Sequence, residues 1–208
     1  MDKSFPYFNK YRVCGRYKSA HLWYRKPMRT IILYYSKTGN TKKYAEDIAN
    51  ALQCEAMPIK KFKKKMIADY DTIVFGSRVR GGSIDKVDSL LAMYEDMKDK
   101  NVILFSVGMS FPSKEGREEL IKSNLLDLYH VRYYQLRGSF DFSKLGFLDK
   151  FIMNNSMRMM ARSPEHSATA SMLSTVKERP IEYYDREGVD KIISIVRKVN
   201  TVIDAEVV

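Results

Sequence analysis

The sequence predicts an α/β protein: a three-layer, doubly wound fold with a five-stranded parallel sheet in the order 2-1-3-4-5 and an insertion before the last helix. Three observations predict it. From Thr30 onward, short β-branched or apolar runs alternate with amphipathic helical patterns almost without exception, the mark of a parallel sheet covered by helices on both faces. The loops after the first, third and fourth runs are rich in glycine and serine. With right-handed crossovers, that strand order brings those loops together outside the carboxyl ends of the strands, at the switch point where such sheets hold a ligand.

The first strand is Thr30–Tyr35, fully buried by its lack of polar alternation. It runs into Ser36-Lys37-Thr38-Gly39-Asn40-Thr41, and a helix follows over Thr41–Gln53 with Tyr44, Ala45, Ile48, Ala51 and Leu52 on one face. A hydroxyl- and glycine-rich turn entering a helix is a phosphate-binding arrangement. The first N–H groups of the helix have no intrahelical partner, and the dipole turns its positive end to the turn. Ser36, Thr38 and Thr41 add hydroxyls, and Gly39 permits close backbone approach.

Cys54–Ile59 reads as a weak second strand, followed by the basic run Lys60–Lys65, a solvated loop or helix end. Asp71–Phe75 is the third strand, ending in the loop Gly76–Ser83. Ile84–Lys98 reads as a helix with Val87, Leu90, Leu91 and Tyr94 inward. Asn101–Val107 is the fourth strand, with Gly108–Pro112 after it. Lys114–Tyr129 reads as a helix with Leu120, Ile121, Leu125 and Leu128 inward, and Val131–Gly138 as the fifth strand. The closing helix is Asp185–Thr201, with Val189, Ile192, Ile193, Val196 and Val199 as its stripe. Between them, Ser139–Tyr184 is too long for an ordinary connection and contains an apolar, Met-rich and basic stretch, Phe147–Arg162. Long insertions of this kind serve as lids or partner surfaces, or pack as an extra helix on the sheet rim.

At 208 residues the chain holds one sizeable core. The net charge of +11 is uneven: residues 1–28 carry seven Lys/Arg against Asp2, which leaves +5 for residues 29–208. Residues 1–28 read as a basic N-terminal extension outside the domain. It is either a flexible arm or an upstream extension with Met28 as the physiological start, and the second is favoured. A basic surface favours anionic partners or is simply solvated. Cys14 and Cys54 have no disulfide or metal motif around them, and no apolar run reaches the length of a membrane span. His21, His130 and His166 are isolated and make neither a nucleophile–base pair nor a metal site. No nucleic-acid module is present.

Ile32-Leu33-Tyr34-Tyr35-Ser36-Lys37-Thr38-Gly39-Asn40-Thr41, with Ala45 and Ile48 following, resembles the flavodoxin signature for the phosphate of FMN. A closer resemblance is to the branch that includes the menaquinone-dependent protoporphyrinogen oxidases. It is carried by Gly76–Gly82, by Arg137-Gly138-Ser139-Phe140 running into Phe147–Met160, and by Lys177–Tyr184, and it covers about residues 29–200. The resemblance implies a flavodoxin-like fold that binds FMN. Ser36, Lys37, Thr38, Gly39, Asn40 and Thr41 would wrap the phosphate. Ser77, Arg78, Val79, Arg80, Gly81 and Gly82, with Val107, Gly108, Met109, Ser110 and Phe111, would hold the ring, Phe111 flanking it. No catalytic side chain is required, because the cofactor supplies the redox chemistry.

The resemblance further implies oxidation of a porphyrinogen in haem biosynthesis, with electrons passed through FMN to a quinone. The location would be cytoplasmic, with peripheral contact at the inner face of the cell membrane. Lys150, Arg158 and Arg162 are the expected partners of the porphyrin carboxylates or of anionic lipid. Arg78 and Arg80, in the ring-contacting loop, are expected to raise the potential. A cation about 5 Å from the ring is worth roughly 3 kcal/mol at an effective dielectric near 20. For a two-electron couple, about 1.4 kcal/mol is roughly 30 mV. Two other readings stand beside this one: an electron carrier between redox partner proteins, and an interaction protein that no longer binds FMN.

Overall fold

The structure, a computed structural model, describes residues 28–162, 177 and 179–202. The N-terminal extension, with Cys14, His21 and Trp23, and also His166, lies outside the described residues. Seven strands are present among the described residues: β1 Thr30–Tyr34, β2 Glu55–Pro58, β3 Thr72–Arg80, β4 Ser83–Ile84, β5 Asn101–Gly108, β6 Val131–Phe140 and β7 Ile181–Tyr184. The α-helices are α1 Asn40–Leu52, α2 Val87–Leu91, α3 Lys114–Ser123, α4 Phe147–Ala161 and α5 Arg186–Val202. The sheet runs β2-β1-β3-β5-β6-β7, with β4 folded back on the end of β3. β2, β1, β3, β5 and β6 are mutually parallel and stand in the expected doubly wound order. β7 is an additional antiparallel edge strand on β6, supplied by the insertion.

Burial on both faces explains the unbroken apolar runs. Ile31, Leu33, Ile73, Phe75, Val102 and Leu104 point to one layer, where Ile84, Val87, Leu90, Met97 and Leu120 cover them. Ile32, Val74, Ile103 and Phe105 point to the other, against Tyr44, Ala45 and Ile48 of α1 and Val189, Ile192 and Val196 of α5. Ala49, not Ala51, completes the inward face of α1; Ala51 is exposed. At the amino end of the sheet, Thr72 donates to Asn200, which donates to Thr30, at 2.7 and 3.1 Å, tying β3, α5 and β1 together.

Two expected helices are shorter than their apolar pattern. The segment over Ile84–Lys98 contains only α2 and a 3-10 turn at Tyr94–Met97, because Ile84 pairs with Val79 and Lys86 adopts a left-handed φ of 62°. The segment over Lys114–Tyr129 stops at Ser123. Asn124 is buried, its amide donating to the carbonyls of Leu120 and Gly82 and accepting the Ile84 N–H, and Leu125 then turns left-handed. Leu125 and Leu128, expected inward, are therefore 58% and 70% exposed, and Leu126 is buried in their place. The basic run Lys60–Lys65 falls on two 3-10 turns with Phe62 buried between exposed lysines.

Gly76, in the middle of β3, lies directly under the Phe105 ring, and an added methyl would overlap that ring. Gly76→Ala is expected to destabilise the protein by about 1–3 kcal/mol, as overpacking does, with Phe105→Leu restoring part of the loss. Denaturant unfolding of the single and double variants checks this; an unchanged midpoint in Gly76→Ala would contradict the packing.

Candidate functional site

The carboxyl ends of β1, β3, β5 and β6 open on a cleft of about 1080 Å³. Its floor is the turn from β1 into α1. Gly39 takes φ 94°, a conformation open to glycine and strained for other residues. Its N–H is received by the Ser36 hydroxyl at 3.1 Å. Asn40 donates its side-chain amide to the Ser139 carbonyl, fastening the turn to β6. The N-terminus of α1 has no side-chain cap and no acidic residue in its first turn. Its positive end thus faces the cleft without an internal anion, which is the state of a helix built to receive one from outside.

The wall formed by β3 and β4 is governed by charge. Arg78 donates to Asp85 at 2.6 Å and, through both terminal nitrogens, to Asp149 of α4 at 3.0 and 3.3 Å. Arg80 reaches the same two carboxylates at 3.3 and 3.6 Å, and Lys37 reaches Asp149 at 3.8 Å. Asp149 is buried, with a side chain only 7% exposed. Burial alone would raise its pKa, but the hydrogen bonds from Arg78 and the charges of Arg78, Lys37 and Arg80 prevail and hold it below the ordinary carboxylate value. Burial likewise works against the Arg78 charge, and its bonds to Asp149 and Asp85 raise its pKa nonetheless.

The opposite wall comes from β5, β6 and β7. Met109, Ser110 and Phe111 line the cleft beyond β5. Arg137 of β6 lies 3.7 Å over the Phe111 ring and 4.6 Å from the centre of the Tyr183 ring, and its Nε donates to the Met109 carbonyl at 3.3 Å. Tyr184, the next residue of β7, stacks on Tyr44 at 4.8 Å, and the Tyr44 hydroxyl donates to the Arg137 carbonyl at 2.6 Å. Burial and the Asp47 carboxylate that accepts its proton raise the Tyr184 pKa, so the phenol stays neutral. Cys54 is half-buried, with its thiol pushed up to about 11 by burial, and is no nucleophile.

The cleft brings together most of the residues that the sequence singled out: Lys37, Thr38, Asn40, Thr41, Arg78, Val79, Arg80, Gly81, Gly82, Val107, Gly108, Met109, Ser110 and Phe111. Others lie elsewhere. Ser36 and Gly39 shape the turn from below. Ser77 is fully buried and gives its hydroxyl to the Asp85 carbonyl, because Gly76–Arg80 continues strand β3 and is not a loop. Lys150, Arg158 and Arg162 do not line the cleft: Arg158 and Arg162 are exposed on α4 and beyond its end, and Lys150 faces the Phe142 ring at 5.7 Å. Arg78, expected to act on a bound ring, has its charge engaged by two carboxylates. Asp149, Asp85, Asn124, Lys144 and Tyr183 carry parts of the site that sequence reasoning missed. Their partners come from distant segments, and only the polar stretch before the last helix hinted at Tyr183.

A parallel sheet in the order 2-1-3-4-5 with a cleft at its switch point defines a doubly wound protein of the flavodoxin-like fold class. The family model of the flavodoxin domain matches residues 31–167, and the chain belongs to the flavodoxin-domain family. Among solved structures, the chain is similar to the two-electron reduced flavodoxin of Megasphaera elsdenii. The identity is 20% over 51% of this chain and 84% of that one, with a TM-score of 0.40. It is also similar to a WrbA-like flavodoxin from Agrobacterium tumefaciens (14%, 60% and 89%, 0.42) and to a putative flavoprotein from Bacteroides uniformis (18%, 54% and 92%, 0.39). No curated protein matches the chain. Among the described residues no helix is long and apolar enough to cross a membrane.

Removing Asp149 leaves Arg78 partly unpaired in a buried place, so Asp149→Ala is expected to cost about 3 kcal/mol and to raise hydrogen exchange along α4. The lowered pKa sets the sign with pH. The contribution is complete above the unfolded carboxylate value near 4 and is lost as pH falls through the lower folded value. The protection factors of α4 amides should therefore be flat from about pH 7 to 5 and fall steeply below about pH 4 in the wild type, with that step absent in Asp149→Asn.

Proposed function

We propose that the cleft binds FMN and that the protein is an FMN-dependent oxidoreductase, which takes electrons from an anionic porphyrinogen-like substrate and passes them to a quinone. The observation that carries the cofactor reading is the uncapped, acid-free N-terminus of α1 beneath the cleft. Thr38, Asn40 and Thr41 would hold the phosphate there, and the segments Val79–Gly82 and Val107–Phe111 would border the ring. Bound FMN supplies two-electron chemistry by accepting hydride equivalents. The chain's own residues bind, orient and set the local field.

The reach of the cleft supports an enzyme over a carrier. The cleft, about 1080 Å³, extends past the phosphate turn to Ile152 and Met153 of α4 and to β7, so that a substrate would meet residues beyond the segments bordering the cofactor. The field supports it more weakly than the two arginines alone implied. Lys37, Arg78 and Arg80 against Asp85 and Asp149 leave the cluster at +1, with Lys37, 50% exposed, as its outermost cation. One observation favours a carrier: Phe147, Leu148 and Phe151 stand exposed on α4, a surface suited to a protein partner.

Purified protein should take up FMN, and the loaded protein should form porphyrin from protoporphyrinogen with a menaquinone analogue faster than autoxidation. Porphyrin formation at the autoxidation rate would sink the enzyme reading while leaving the carrier, and failure to take up FMN would sink both. Gly39→Asp sets a carboxylate beside the N-terminus of α1, where it competes with phosphate, and at φ 94° it also strains the turn. It is expected to weaken FMN binding at least roughly tenfold, about 1.4 kcal/mol, with the far-UV spectrum unchanged, as fluorescence titration would measure.

A further inference from the structure

We infer that Arg137 is the anchor for a carboxylate of the substrate. The site takes a flat apolar molecule into the cleft and holds its acid group at the rim, between Phe111 and Tyr183; this rests on the oxidoreductase reading above. Pairing carries the argument. Every cation lining the cleft among the described residues has a carboxylate within 4 Å: Lys37 and both arginines of β3 have Asp149, Lys43 has Asp47 and Lys144 has Asp141. Arg137, which is not itself a lining residue but lies half-buried against Met109, Phe111 and Tyr183 of the lining, has none within that reach among the described residues. Asp185 accepts the Arg137 backbone N–H and the Gly188 N–H, not the guanidinium.

The side chain is nevertheless held in place. Phe111 and Tyr183 press on the guanidinium from two rings and the Met109 carbonyl takes Nε, which leaves the terminal nitrogens as donors with no partner among the described residues. Stacking fixes the plane of the fork without neutralising it, and a fixed planar fork matches a carboxylate through two parallel bonds. Position completes the case. Phe111, Met109 and Tyr183 line the cleft, while Phe111 is 63% and Tyr183 40% exposed. Arg137, half-buried just outside the lining, is thus held against two exposed rings of the rim, where it would meet the part-hydrated ionised end of an amphiphilic acid whose apolar body enters the cleft.

The test uses FMN-loaded wild-type protein with Arg137→Gln and Arg137→Lys, and protoporphyrin and its dimethyl ester as probes, read by fluorescence anisotropy. The wild type should bind the dicarboxylate at least roughly tenfold tighter than the ester, the scale of one charge-assisted hydrogen bond. Arg137→Gln should bind the two alike, Arg137→Lys should keep part of the preference, and FMN affinity should be unchanged in both. In turnover, KM should rise in Arg137→Gln with kcat nearly constant. An undiminished preference in Arg137→Gln overturns the assignment while leaving the oxidoreductase reading intact. A loss of FMN affinity with the preference retained assigns the cation to the cofactor phosphate and also overturns it. Failure of the wild type to bind either probe overturns both the assignment and the tetrapyrrole reading.

Discussion

The architecture of the cleft depends on one buried carboxylate. Asp149 sits on a helix contributed by the insertion, yet its charge is compensated from two other segments: Arg78 and Arg80 at the end of β3, and Lys37 in the turn before α1. A buried charge without partners is costly, so the helix cannot leave the cleft without exposing Asp149 or stranding Arg78. The ion cluster therefore fixes the helix at the one residue of α4 that is buried among the described side chains. The outward residues of α4, Phe147, Leu148 and Phe151, are exposed, and the buried residue that docks the helix is charged. Specific geometry follows, because the bidentate contact of Arg78 fixes distance and orientation together.

The fold was legible in the sequence because a parallel sheet imposes a strong and redundant pattern. The central strands are apolar on both faces, β1 and β5 lead into amphipathic helices, and the turns that gather at the switch point share a composition. The misread parts are those where a single tertiary bond overrides a local pattern. Asn124 ends α3 by turning its amide onto Gly82 and Ile84, forty residues away, which periodicity around Leu120–Leu128 cannot register. The same bonds hold the β3–β4 turn in place. Gly76–Arg80 reads as a loop by composition but continues as strand, since Arg78 still pairs with Val107 of β5 and Val79 with Ile84 of β4.

The site was legible in its floor and not in its walls. Ser36–Thr41 is contiguous, so its chemistry can be read from neighbours in the chain. The cations were harder, because their effect depends on partners that sequence does not place. Arg78 and Arg80 looked free and are paired; Lys150, Arg158 and Arg162 looked directed to substrate and lie outside the lining. Net charge misleads for a related reason. More than half of the +11 belongs to residues 1–28, while the cleft lining carries five cations and four carboxylates.

That near balance bears on which cation an incoming acid can use. A carboxylate approaching Lys37, Arg80 or Lys144 must share the cation with Asp149 or Asp141, and the like charge already there offsets part of the attraction. At Arg137 no sharing is needed. The guanidinium is already stripped of part of its hydration by two rings and is already oriented, so the main cost of binding has been met during folding. Within a cleft of nearly neutral lining, an anion is therefore drawn to the cation whose charge is least compensated, and the molecule's apolar body follows the rings that hold it.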